Sequence, residues 1–183
     1  MRMQSEWIVR MNTDGGAVLP WRSVADGPPL SQTDPAILVV TDFTREHPVT
    51  VEDDRQIDDA LQDMIRLGVR SLLVHKEQRI VGLITSYDIQ GERPIQFLQN
   101  SNFSRHGDIR VGDIMTPWAK LVGVDWVRLQ SVDIGDVLGL FKDTGLTHLL
   151  VLEANQGGSR TVLRGLISRA RIERRLVALR RAG

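Results

Sequence analysis

Two stretches of this chain carry one pattern twice, and a chain that repeats itself in this way is constrained to two similar folded units. Residues 69–89 read V-R-S-L-L-V-H-K-E-Q-R-I-V-G-L-I-T-S-Y-D-I, and residues 146–172 read L-T-H-L-L-V-L-E-A-N-Q-G-G-S-R-T-V-L-R-G-L-I-S-R-A-R-I. Aligning Gly68 with Gly145 gives an offset of 77, and aligning Gly82 with Gly165 gives 83, so the second copy carries six more residues between its two strands. With 183 residues the chain is long enough for two small units. The boundaries read as an N-terminal extension over 1–35, a first unit with its connector over 36–108, and a second unit with a basic C-terminal helix over 109–183.

Composition narrows the class. An apolar content of 42% with 25% charged residues and a formal net charge of zero describes a folded domain whose overall charge favours no particular partner. There is no cysteine, which removes disulfides, thiolate metal sites and cysteine nucleophiles together. Residues 1–10 contain Arg2, Glu6 and Arg10 and no apolar core of signal-peptide length. No apolar run approaches the ~20 residues of a membrane helix, so a cytoplasmic location is expected.

Taken in order, residues 6–11 have the composition of a short strand and Asp14-Gly15-Gly16 that of a turn; Trp7 and Trp21 are expected to pack on the body of the protein or on a second subunit. Residues 36–40 form an apolar run ending at Thr41-Asp42, and residues 48–51 read as a short edge strand. Ile57, Leu61, Met64 and Ile65 at spacings of three and four predict a helix that ends at Gly68 in a left-handed conformation. Six carboxylates near its start (Glu52, Asp53, Asp54, Asp58, Asp59 and Asp63) are explained by capping and the helix dipole rather than by a metal.

Strands are predicted at 72–75 and 80–84, each apolar throughout and hence buried on one or both faces. Thr85 suits the N-cap of a short helix, with Asp88 three residues on. A connector over 91–107 holds a helix at 94–99 with proline in its first turn. Residues 111–117, V-G-D-I-M-T-P, then open the second unit as 38–42 open the first. Its helix, 134–144, ends at Gly145, its second strand is 162–167, and residues 155–159 form a flexible hairpin loop.

At the C-terminus Arg169, Arg171, Arg174, Arg175, Arg180 and Arg181 are opposed by Glu173 alone, with Ile172, Leu176 and Leu179 at helical spacing. The expected role is the solvated face of a packed helix. An anion or nucleic-acid patch, or docking on the acidic 52–63 segment of another subunit, are the alternatives. No aromatics interleave the arginines, so no stacking platform for nucleic acid is predicted. His47, His75 and His106 share no metal-ligand spacing. A G-x-S-x-G elbow and a Walker glycine loop are both absent, so the chain reads as a non-enzyme.

Strand, helix, strand, strand, helix, used twice, with G-V-R-S-L-L-V leading to V-G-L-I-T-S-Y-D-I and with D-I-M-T-P opening the second copy, resembles a tandem pair of CBS domains, the cystathionine-beta-synthase-type regulatory module. The resemblance covers residues 36–175. It implies an α/β (α+β) fold of two β-α-β-β-α units packed with pseudo-twofold symmetry, two clefts that hold adenine nucleotides in many relatives, association into homodimers, and no reaction of its own.

Carried over by residue, it implies a first cleft of Thr85 and Asp88, with Thr41, Thr50, Arg70, Ser71 and Leu72 around it. The Asp88 carboxylate would accept from ribose hydroxyls and Thr85 would reach toward phosphate. In the second cleft Ser168 stands for Thr85 and Arg171 for Asp88, with His148 and Thr116 nearby. That cleft holds a more anionic ligand through Arg171 and Arg169, or holds none. Leu73 and Leu150 occupy positions where relatives usually have proline. The resulting expectation is a regulatory sensor of AMP, ADP, ATP or S-adenosylmethionine acting on a regulated protein on another chain; the alternative is a ligand-free dimerisation or partner-binding scaffold.

Overall fold

Each of the apolar strands alternates between two different cores, and this decides how the copies assemble. The computed structural model describes residues 28–101, 105–154 and 161–180, with side chains of the last helix described to Leu176. The first half runs β1 (Val40–Asp42), β2 (Thr50–Glu52), α1 (Ile57–Leu67), β3 (Ser71–Lys76), β4 (Arg79–Thr85), α2 (Ser86–Gln90) and α3 (Arg93–Asn100). The second runs α4 (Val111–Ile114), β5 (Thr116–Pro117), β6 (Gly123–Asp125), α5 (Trp126–Leu129), α6 (Ile134–Thr144), β7 (His148–Ala154), β8 (Thr161–Ser168) and α7 (Arg169–Arg180). The mixed α+β class and the doubled unit are those expected from the repeat.

On β3, Leu72 and Val74 face α1, packing with Ile57, Ala60 and Met64. Leu73, between them, faces the other way and meets Leu83 and Leu150 between the two sheets. The second unit repeats this: Leu149 and Val151 pack on Ile134, Val137 and Phe141, whereas Leu150 and Leu152 join the central cluster. A strand buried on both faces needs no polar alternation, which is why both runs are apolar throughout. Burying one leucine contributes roughly 1.5–3 kcal/mol, against about 0–1 kcal/mol for an exposed ion pair such as Arg169–Glu173. Burial in the leucine cluster therefore outweighs an exposed ion pair of that kind.

The sheets do not follow the sequence boundaries. One has the order β2-β3-β4-β5 and the other β1-β8-β7-β6. The opening strand of each half is thus paired in the sheet of the opposite half: β1 runs antiparallel to β8, with Thr41 opposite Leu166, and β5 antiparallel to β4, with Thr116 opposite Leu83. Both crossings occur at the aligned glycines. A Cβ on Gly165 would lie 2.5 Å from the Thr41 carbonyl oxygen, and one on Gly82 would lie 2.6 Å from that of Thr116. The other aligned pair does a different job: Gly68 and Gly145 end α1 and α6 at φ of 67° and 68°, as expected of left-handed C-caps. Just before each crossing glycine's neighbour the hairpin shifts register, so Val81 in one copy and Arg164 in the other are the extra residues of a bulge.

Three local expectations are revised. Ile65 is 65% exposed, because the buried stripe of α1 is Ile57, Ala60 and Met64 and the next residue is turned about 100° away from it. The acidic segment does not cap α1, whose N-cap is Gln56 without a side-chain bond; Asp58 and Asp59 lie in its first turn, while Asp53 pairs with Lys76 and Asp63 with Arg55 and Arg66. In the C-terminal run Arg175 is buried rather than solvated, donating to the carbonyls of Pro28 and Leu38. The strand and turn predicted before residue 28, the loop at 155–159 and the side chains beyond Leu176 lie outside the described residues.

The crossings yield a paired prediction. Gly165→Ala drives a Cβ into backbone and is expected to lower the unfolding free energy by about 1–3 kcal/mol. Gly139→Ala, inside α6 with nothing within 4 Å of the new methyl, is expected to raise it by about 0.5–1 kcal/mol. Urea unfolding of the two variants beside the parent checks both.

Candidate functional site

The site grows from the end of β4. Thr85 leaves the sheet in an extended conformation and caps α2, and Asp88 closes a reciprocal capping box. Asp88 Oδ2 accepts from the Thr85 backbone N–H and from the Thr85 hydroxyl, each at 2.8 Å, and the same hydroxyl accepts from the Asp88 N–H at 3.2 Å. Thr85 is buried and the Asp88 side chain is 13% exposed. Its second oxygen, Oδ1, faces the guanidinium of Arg93 at 3.1 Å. Arg93 in turn donates to the Ile114 carbonyl at 2.8 Å and the Thr116 hydroxyl at 3.1 Å. A carboxylate, a hydroxyl on a helix cap, a second hydroxyl and a cation thus converge, the set of groups that a phosphorylated, hydroxyl-bearing ligand requires. Between α3 and β5, beside this cluster, lies a hollow of about 460 Å³ lined by Arg93, Gln96, Phe97, Met115, Thr116 and Lys120.

The expected site residues are distributed as follows. Ser71 lies opposite Thr85 on the neighbouring strand, Arg70 is exposed and its carbonyl accepts from the Ser86 N–H, and Thr50 lies opposite Leu73 on β2. The Leu72 side chain is buried in the α1 core, so only its backbone is available to a cleft. The strand exchange redistributes the two threonines. Thr41, expected beside Asp88, accepts from the Arg171 guanidinium on α7, whereas Thr116, expected beside Arg171, sits with Arg93. Ser168 is paired across the strands with His148. Arg169 is held by Glu173 at 2.7 Å.

Two electrostatic features tie the halves together. Burial pushes the His148 imidazole down to about 4, against an opposing pull from the Asp88 charge, so a histidine of the second half lies within the field of the first half's carboxylate. Its Nδ1 is 3.0 Å from the Thr147 hydroxyl. Across the β1–β8 crossing, Arg164 grips Asp42 at 3.0 and 3.2 Å and Glu153 at 2.9 Å, with its guanidinium 4.3 Å from the Trp126 ring centroid. Burial would raise the Asp42 carboxyl, but hydrogen bonds from Thr44 and Arg164 outweigh it and hold it at about 2.

Sequence reasoning missed Arg93 and Arg164. Arg93 follows Asp88 by one helical turn and more, and Arg164 stands 122 residues from Asp42; neither spacing carries a periodic signal. Among the described residues no group of three metal-ligating side chains assembles, and no helix is long and apolar enough to cross a membrane.

Residues 40–93 match the family model of the CBS domain. Among solved structures, a protein with CBS domains from Burkholderia ambifaria is 27% identical, over 72% of this chain and 83% of that one, with a TM-score of 0.52. CBSX2 in complex with AMP is 24% identical over 82% and 99%, with a TM-score of 0.50. The CBS domain of the bacterial CNNM/CorC family Mg2+ transporter in complex with ATP is 17% identical over 80% and 89%, with a TM-score of 0.51. No curated protein matches the chain.

His148 supplies a test of the junction. Its folded-state value lies below the ordinary 6.5, so its contribution to stability is fully present above that value and is lost as pH falls from 6.5 toward 4. The expected slope over that window approaches about 1.4 kcal/mol per pH unit for one proton. Unfolding measured from pH 7 to 4 should show it, and His148→Gln should flatten it.

Proposed function

The chain being a CBS-domain pair, we propose that it is a regulatory module that senses an adenine nucleotide in the cleft at Thr85 and Asp88 and passes the signal to a protein on another chain. The observation that carries this is the Asp88 carboxylate, fixed by its capping box with one oxygen directed away from the box toward Arg93, which also holds Thr116. A ribose diol needs such an acceptor, and the Lys120 side chain in the adjoining hollow suits phosphate. The AMP complex of CBSX2 and the ATP complex of the transporter domain support the ligand class. Thr116, brought in by the exchanged β5, belongs to this cleft in our reading, and Thr41 to the cleft of Arg171.

The two clefts are unequal. Arg171 stands where a ribose acceptor would be needed and is occupied by Thr41, so we assign the nucleotide to the first cleft alone. Two copies are taken to associate as a homodimer through α1 and α2, where Ile65 and Tyr87 are exposed. The reading assigns no reaction to the chain. A ligand-free scaffold is the second reading, favoured by the ion pair that already satisfies Asp88 and by the leucines that fill the space between the sheets.

Calorimetric titration with AMP, ADP, ATP and S-adenosylmethionine separates the two. Saturable binding of at least one is expected, and Asp88→Ala should weaken it about ten- to a hundredfold, the effect of losing hydrogen bonds to a charged acceptor. Silence from all four leaves the scaffold reading, and an unchanged affinity in the variant overturns the assignment of the ligand to Asp88.

A further inference from the structure

Both oxygens of Asp88 are engaged. Oδ2 is held by Thr85 and cannot be released without undoing the N-cap of α2, whereas Oδ1 meets only Arg93 among the contacts of the site. The Arg93 side chain is 43% exposed and Asp88 13%, so the outer partner of the pair is the mobile one by position and the inner one is fixed. Arg93 is also the first residue of α3, and its guanidinium reaches the Ile114 carbonyl and the Thr116 hydroxyl on the strand exchanged into the first sheet. One side chain therefore joins the proposed ligand acceptor, the connector helix and the start of the second half.

We propose that Arg93 is a displaceable latch: ligand hydroxyls taking Asp88 Oδ1 break the Arg93–Asp88 pair and loosen α3 from β5. The inference rests on the reading of Asp88 as the ligand acceptor and adds the residue that converts occupancy into a change elsewhere. Competition for one oxygen makes the two states mutually exclusive, and linkage then requires that whatever loosens α3 also favours the ligand. The output surface is α3 itself, whose Ile95 is 57% exposed while Phe97, on the opposite side of the helix, is half-buried. The hollow between α3 and β5 gives the helix room to move.

The test uses the full chain, hydrogen–deuterium exchange and calorimetry with AMP and ATP, comparing wild type, Arg93→Gln and Asp88→Asn. Without nucleotide, both variants should exchange faster than wild type over residues 95–100 and 114–116, because local opening is no longer opposed. With nucleotide, wild type should show the same acceleration, while Arg93→Gln shows no further change and binds between about two- and tenfold tighter, having lost its internal competitor. Equal exchange in the three ligand-free proteins overturns the latch, as does weaker nucleotide binding by Arg93→Gln or greater protection of α3 on binding. Failure of wild type and Arg93→Gln alike to bind either nucleotide removes the functional reading and displacement with it. Binding by both with equal affinity and unchanged exchange removes the latch alone.

Discussion

Leu73, Leu83 and Leu150 meet between the two sheets, and their burial on the face opposite the helices is the constraint on which the rest of the structure depends. Because β3 and β7 are covered on both faces, neither unit has a solvated side on which to stand alone. The leucines at 73 and 150 occupy the middle of this contact, where an apolar side chain fills space that a proline ring would fill differently. Close approach of the sheets also brings the opening strand of each half within reach of the other half's free edge. Pairing there satisfies backbone groups that an exposed edge would leave to solvent, provided the residue at the crossing has no Cβ, and Gly82 and Gly165 meet that condition.

The exchange gives the two clefts related parts of unlike chemistry. In each, a threonine from the exchanged strand accepts a hydrogen bond from an arginine: Thr116 from Arg93, Thr41 from Arg171. The arginines are not equivalent. Arg93 comes from the connector and faces an acid, so the first cleft is a carboxylate held closed by a cation. Arg171 replaces the acid outright, so the second has no acceptor for hydroxyls in that position. The Asp42–Arg164–Glu153 cluster then secures the crossing on the second side with charge, while the first crossing relies on Val81 and its apolar neighbours. A symmetric backbone thus carries two clefts of unlike charge.

Much of the local structure was legible in the sequence because it is encoded within a few residues. The helix over 57–67 follows from apolar spacing, its end from Gly68, and the Thr85–Asp88 box from two residues three apart. The same spacings misled where a neighbour from elsewhere took over. Ile65 has the helical period but is left exposed, and Asp53 before α1 and Asp63 within it pair with Lys76, Arg55 and Arg66 instead of capping the helix. Arg175 looks like part of a solvated basic face until the segment at 28–38 packs over it.

The sequence by itself determined that there are two units, in which order their elements run, and which acid sits at a helix start, since each of these rests on periodicity, duplication or a contact within one helical turn. Only the tertiary structure decided which cleft each threonine joins, that Arg93 closes on Asp88, and that His148 feels a charge from the other half. Those facts depend on pairs far apart in the chain, brought together by a strand exchange that hydrophobic burial drives and that no local spacing records.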